Sequence, residues 1–139
     1  MTAAVVSGGL PELARQAPQP QVLCGAGDLA TIKASTGISV EAIRSGEQVM
    51  GLEVILVPGH TPGHLCLFDA ITSTMLLSDV AGNTGSLQRA GSFTENAAQA
   101  EATLHALAER DFENAFPSHG DPLIGGASQS LRQLAAELP

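Results

Sequence analysis

The chain has 139 residues, of which 44% are hydrophobic and 14% are charged, so it can bury a core and is not intrinsically disordered. Its 14 acidic and 6 basic residues give a formal net charge of −8, which argues against nucleic acid and against an anionic membrane surface as partners. Four Phe and no Trp or Tyr leave almost no aromatic side chains for stacking on bases or sugars.

The first third of the sequence predicts short elements joined by connectors. A helix opens at residues 8–13, where a proline and a glutamate suit the first turn. Residues 22–24 predict a short strand, and residues 25–27, Gly-Ala-Gly, turn it into a second helix. We expect Asp28 to cap that helix and Gly37 to end it.

The middle of the sequence predicts β-structure. The segments 52–57, 65–68 and 74–77 are almost continuously apolar, which is typical of interior strands covered on both faces. Short connections between them favour antiparallel hairpins. The small and polar residues from Ala81 to Gly91 predict a long flexible loop.

The last third alternates helix and strand. A capping-box pattern at residues 92–95 predicts a helix to about Arg110, and residues 114–116 predict a short strand. The buried positions that we expect in the two C-terminal helices are Ala97, Ala100, Leu104, Leu107 and Ala108, then Leu131, Leu134, Ala135 and Leu138. The pattern as a whole predicts a mixed α/β (α+β) fold in one domain over residues 1–139.

Three side chains that can bind a metal ion follow the ends of apolar strands. His60 lies in a loop stiffened by proline and glycine, Asp79 follows the strand 74–77, and His119 follows the strand 114–116. Because these strand ends can meet at one sheet edge, the three side chains can form an N, O, N site for zinc or a similar divalent ion. The alternative is that each side chain only caps or hydrogen-bonds its own loop.

Other candidate residues have simpler explanations. The Gly25-Ala26-Gly27-Asp28 segment lacks the third glycine and the lysine of a phosphate-binding loop, so a strand-to-helix turn explains it. Ser118 lies beside His119 but has no nucleophile elbow. His105 falls on a solvated helix face, and Cys66 is predicted to be a small core residue.

These segments resemble the metallo-β-lactamase superfamily. Gly59-His60-Thr61-Pro62-Gly63-His64, the strand that ends in Asp79, and Ser118-His119-Gly120-Asp121-Pro122 match three motifs of that family in order and spacing. The resemblance implies a partial αββα sandwich, mainly its C-terminal half. It also implies that His60 binds one metal, Asp79 bridges two and His119 binds the second, while His64 has a structural role.

The sequence departs from the family at two places. The family's His-x-His-x-Asp-His motif would end directly before Ser7, and residues 1–6 hold no imidazole or carboxylate there. Ser78 stands where the family usually has glycine. With half of the family's ligands missing, we expect zinc or another divalent metal to bind weakly, with at most one ion per chain.

Two classes of function follow from the resemblance. The first is metal-dependent hydrolysis of an ester, thioester, lactone or similar bond in a small-molecule substrate, if the missing motif is supplied. The alternative is a non-catalytic domain that binds a ligand or a partner. A leader or membrane-spanning run is not apparent, which predicts a cytoplasmic protein. The incomplete sheet predicts a homo-oligomer that buries the uncovered face, with residues 3–6 near the interface.

Overall fold

The computed structural model of the chain describes residues 9–89 and 94–139. Its helices in these ranges are α1 (Leu10–Gln16), α2 (Leu29–Thr36), α3 (Ala97–Ala108) and α4 (Ala127–Ala136). Its strands are β1 (Leu23–Gly25), β2 (Glu41–Ile43), β3 (Gln48–Val49), β4 (Leu52–Leu56), β5 (Leu65–Asp69), β6 (Thr74–Ser78), β7 (Ala81–Asn83), β8 (Leu87–Arg89), β9 (Asn114–Pro117) and β10 (Leu123–Ile124). The predicted interface segment, residues 3–6, lies outside the described residues.

A six-stranded sheet with the order β10-β9-β6-β5-β4-β3 organises these elements. The pairs β3–β4, β4–β5, β5–β6 and β9–β10 are antiparallel, which confirms the predicted hairpins, whereas β6 and β9 are parallel. Strands β1 and β2 form a separate parallel pair, and β7 and β8 form an antiparallel hairpin. The mixed α/β prediction is therefore confirmed.

One face of the large sheet carries the core. Its buried side chains alternate along the strands, as a pleated sheet requires, and helices α3 and α4 cover them. This core contains Ile55, Cys66, Met75, Leu77 and Ala115 from the sheet, together with Leu104, Leu107, Leu131 and Leu134 from the helices. The predicted buried stripe of α4 is confirmed for Leu131, Leu134 and Ala135, and Leu138 packs against the core just beyond the helix end.

The opposite face of the sheet is partly open. Leu56, Leu76 and Phe116 are 42%, 38% and 42% exposed on this open face. A groove of about 400 Å³ runs between it and the β1–β2 pair, lined on the sheet side by apolar side chains such as Leu65 and Leu67. The prediction that these strands are covered on both faces is thus wrong at Leu56, Leu76 and Phe116. It holds at Val54, which lies on this face beside the β1–β2 pair and is only 1% exposed.

Two local predictions in the second half of the chain are wrong. The expected loop from Ala81 to Gly91 folds as far as Arg89 into the β7–β8 hairpin, because alternate backbone groups pair across its turn. Helix α3 starts at Ala97 and not at the capping box, since the Asn96 side chain accepts the Gln99 N–H at 3.0 Å. Ala97 is exposed, and the first two capping-box residues, 92 and 93, lie outside the described residues.

No helix in residues 9–89 and 94–139 has the length and apolar character needed to cross a membrane.

Candidate metal centre

Three loops meet at one end of the large sheet. Strands β4 and β6 are both antiparallel to β5, and β9 is parallel to β6, so β4, β6 and β9 run in the same direction. Their carboxyl ends therefore lie at the same sheet edge. The loops that leave this edge carry His60, Asp79 and His119, which were predicted to meet there.

The histidine loop, residues 57–64, is held from one side by helix α3. The Asn96 N–H donates to the Gly59 carbonyl at 2.9 Å, and the Thr103 hydroxyl donates to the Pro58 carbonyl at 2.7 Å. These contacts to the start and middle of α3 leave the loop little freedom to move away from the sheet edge.

On its other side the histidine loop contacts the turn between β1 and α2. Asp28 was predicted to cap α2, but its side chain makes no cap hydrogen bond. Its carboxylate instead accepts the Thr61 hydroxyl at 2.5 Å and the Gly63 N–H at 2.9 Å. A Cβ added to Gly25 would lie 2.1 Å from the Gly63 carbonyl oxygen, and one added to Gly27 would lie 2.7 Å from the backbone of Pro62. These glycines are therefore required by the close approach of two backbones.

Asp79 lies between the two histidines. Its Oδ2 is 3.6 Å from His60 Nε2, and its Oδ1 is 3.2 Å from His119 Nε2. The His60 and Asp79 side chains are 11% and 13% exposed, whereas His119 is 80% exposed. The site is thus a buried His–Asp pair with a third, solvent-facing imidazole.

His64 orients the backbone of Asp79. Its Nε2 accepts the Asp79 N–H at 3.1 Å, which places the ring proton on Nδ1, and its ring packs edge-on against His60 at 5.2 Å between centroids. Burial lowers the pKa of His64, and the neighbouring His60 lowers this pKa further. His64 is therefore suited to accept a hydrogen bond as a neutral imidazole, in line with the structural role that the resemblance implies.

The His119 loop is held by strand β7. The Asn83 N–H donates to the His119 carbonyl at 3.0 Å, and the Asn83 carbonyl accepts the Asp121 N–H at 2.9 Å. The Asn83 side-chain amide also donates to the Asp121 carbonyl at 2.9 Å. This strand lies in the segment predicted to be a flexible loop, and it fixes the backbone of the third candidate ligand.

No protein-family model and no curated protein matches the sequence. Solved structures do match the fold. A metallo-β-lactamase family protein from Thermus thermophilus superposes with a TM-score of 0.65 at 19% identity, covering 84% of this chain and 52% of that one. TTHA1623 in a di-iron-bound form superposes with a TM-score of 0.73 at 21% identity, covering 93% and 68%. The DIM-1 metallo-β-lactamase exposed to ceftazidime gives 0.72 at 14% identity, covering 96% and 63%.

This chain has the metallo-β-lactamase fold. It spans between about half and two thirds of these three structures, so it corresponds to part of the fold, as predicted.

One departure from the metallo-β-lactamase pattern has a visible conformation. Ser78, where the family usually has glycine, adopts a left-handed backbone with φ of 53°. The β6–β9 register shifts there, and the Ser78 carbonyl accepts the Ser118 N–H at 3.1 Å. The backbone therefore keeps the conformation that favours glycine. In this conformation the Cβ of Ser78 lies unfavourably close to the following carbonyl oxygen.

The donor set of this metallo-β-lactamase fold suits a divalent ion. His60 Nδ1 and Asp79 Oδ1 are buried and have no hydrogen-bond partner among residues 9–89 and 94–139. The 3.2 Å contact from His119 to Asp79 Oδ1 lies within ion-pair range but does not have the geometry of a hydrogen bond. A buried carboxylate oxygen without a partner is costly unless an ion or another donor reaches it.

The side chains of His60, Asp79 and His119 are not arranged around one common point. Each histidine faces a different oxygen of Asp79, and in the described part of the chain no three His, Cys, Asp or Glu side chains are arranged to hold a metal ion. Binding by all three would require a side-chain rotation, for which the exposed His119 has room. Their role as ligands stays a prediction.

The remaining candidates lie away from this edge. Cys66 is fully buried in the core, its Sγ donates to the Leu77 carbonyl at 3.2 Å, and burial raises the pKa of its thiol to about 12. His105 is exposed on α3, near the Pro139 carbonyl.

Proposed function

We propose that this chain supplies one set of ligands to the metal site of a metal-dependent hydrolase of the metallo-β-lactamase type. His60, Asp79 and His119 would hold one divalent ion, for which we propose zinc. The proposal is supported most directly by the meeting of these side chains at one sheet edge, with a buried Asp79 oxygen that lacks a hydrogen-bond partner among the described residues. The di-iron form of TTHA1623 is a further reason to expect a metal in this fold.

The chemistry that we propose is hydrolysis of an ester, thioester, lactone or similar bond. A divalent ion at this site would act as a Lewis acid on the bond to be broken and would activate water. The chain's own contribution is to hold Asp79 in place through His64 and to leave one side of the site open at His119. We retain the predicted cytoplasmic location as part of this proposal.

Equilibrium zinc binding in competition with a chromophoric chelator tests the proposal. We expect one ion per chain, bound more weakly than at a complete zinc site. The reason is that residues 1–6 contain none of the histidine and aspartate ligands that the family has at this position, which make up half of its set. His60→Ala, Asp79→Ala and His119→Ala should each weaken binding at least tenfold. His105→Ala, which removes an exposed histidine away from the site, is the matched control.

Two results would contradict the assignment. One is retention of two ions per chain after dialysis against a chelator. The other is unchanged zinc affinity in the Asp79→Ala variant. In the same preparations we expect only background hydrolysis of thioester, lactone and β-lactam probes, and turnover that disappears in His60→Ala would show that three ligands suffice.

A further inference from the structure

The most unusual use of a side chain near the site is that of Asp28. It ends a turn of 3₁₀-helix, Ala26–Asp28, directly before α2, where an aspartate ordinarily caps the helix. Its carboxylate does not bond to α2. It accepts one hydrogen bond from Thr61 and one from Gly63, which lie more than 30 positions further along the chain. Asp28 therefore connects two elements that are distant in sequence.

Both donors lie between the two histidines of the histidine loop. Thr61 directly follows His60, and Gly63 directly precedes His64. The Thr61 residue is only 7% exposed, so its hydroxyl depends on the carboxylate for a partner. One carboxylate thus holds the segment between His60 and His64 at two points, Thr61 and Gly63.

The contact is close because no side chain separates the two backbones. Cβ atoms added at Gly25, Gly27 or Gly63 would all lie within 3.0 Å of backbone atoms across the junction. A shift of the turn that carries Asp28 must therefore move residues 61–63 as well. From there the contact continues through His64, whose Nε2 accepts the Asp79 N–H.

We propose that Asp28 is a positioning residue that sets the orientation of His60 and His64 toward Asp79. The inference rests on the proposed function, since it concerns the same candidate metal site. It assigns a site role to the Gly25–Asp28 turn, which sequence reasoning treats only as a connection between a strand and a helix. Charge-assisted hydrogen bonds are stronger than neutral ones. Loss of a hydrogen bond made directly to a metal ligand typically lowers metal affinity 10- to 100-fold, and the bonds of Asp28 act on the residues next to both histidines.

The test compares Asp28→Asn with Asp69→Asn. Asp69 makes the same type of contact, accepting the Ile71 N–H at 2.9 Å and the Thr72 hydroxyl at 2.6 Å, but it lies at the opposite end of β5. The first readout is the ¹⁵N chemical shift of the His60 and His64 ring nitrogens without metal. The second readout is zinc affinity in the chelator competition.

We expect Asp28→Asn to shift the ring resonances of both histidines and to lower zinc affinity at least tenfold, whereas Asp69→Asn changes neither. Ring resonances and zinc affinity equal to those of Asp69→Asn would overturn the proposal. If Asp28→Asn does not fold, the pair Thr61→Val and Thr61→Ser decides, since only the second keeps the hydroxyl. The ring resonances should shift in the first variant and return in the second, and equal spectra would refute the role of Asp28. A wild type that binds no zinc contradicts the proposed function, while the ring resonances still test the positioning.

Discussion

Replacing Gly25 by alanine tests whether the junction behind the histidine loop is as tight as the geometry indicates. The added Cβ would lie 2.1 Å from the Gly63 carbonyl oxygen, and Cβ atoms essentially never approach another heavy atom within 3.0 Å. The two backbones must then separate by about 1 Å, an overpacking that typically costs about 1–3 kcal/mol. The same movement lengthens the hydrogen bonds to Asp28, which adds about 1 kcal/mol. We therefore expect Gly25→Ala to lower the free energy of unfolding by about 2–4 kcal/mol.

Backbone strain does not contribute to this loss. Gly25 has φ of −65° and ψ of 145°, an extended conformation that alanine adopts freely. Urea denaturation followed by far-UV circular dichroism measures the change. Gly9→Ala is the matched control, because a Cβ there would meet no atom of residues 9–89 and 94–139 within 4 Å and the backbone has φ of −85°. We expect the control to change stability by less than about 1 kcal/mol. A Gly25→Ala variant that unfolds at the same urea concentration as the control would refute the reasoning.

Three further predictions concern other parts of the chain. Ser78→Gly should leave the free energy of unfolding unchanged or raise it by up to about 1 kcal/mol, since glycine adopts a left-handed backbone without strain. The control Ser35→Gly, inside helix α2, should lower it, and equal losses of the two variants in thermal unfolding would contradict this prediction. The Arg110 guanidinium lowers the pKa of Glu53, so their ion pair stabilises the fold above the ordinary glutamate pKa and is lost as the pH falls through the lowered value. Glu53→Gln should therefore cost about 0.5–1 kcal/mol near neutral pH, and this cost should shrink as the pH falls through the lowered pKa of Glu53. A pH-independent difference in urea unfolding would oppose this account. We also expect a second copy of the chain to cover the open face, so Phe116→Glu should convert an oligomer to a monomer in light scattering, and a monomeric wild type would show that prediction to be wrong.

The sequence predicts those features that follow from local periodicity. Helix α4 is recognisable because Leu131, Leu134 and Ala135 repeat at helical spacing, and all three are buried. The positions of His60, Asp79 and His119 at one sheet edge follow from apolar strands that each end within a few residues before one of these side chains. This reasoning needs only the period of a strand and the place where it stops.

Contacts between distant segments are not predictable in this way. Asp28 has the local sequence of a helix cap, and nothing near it indicates that Thr61 and Gly63 will take its carboxylate instead. The start of α3 is a different case, because a local contact sets it: the Asn96 side chain accepts the Gln99 N–H, so the helix begins at Ala97. At Asp28, two tertiary hydrogen bonds outweigh a local capping preference of about 1 kcal/mol. The two glycines of the turn were the available signal, since a glycine in a strand-to-helix turn often marks a close approach of backbones.

The unequal exposure of the candidate ligands has an entropic consequence. His60 and Asp79 are packed into the edge of the sheet and have already lost their rotamer freedom on folding. His119 is 80% exposed and keeps that freedom until something holds its ring. Fixing such a side chain costs about 1 kcal/mol, which is about a fivefold difference in an equilibrium constant. On the proposed assignment of His119 as a ligand, packing a neighbouring side chain against its ring should therefore raise ion affinity, with no change in the proposed ligand atoms.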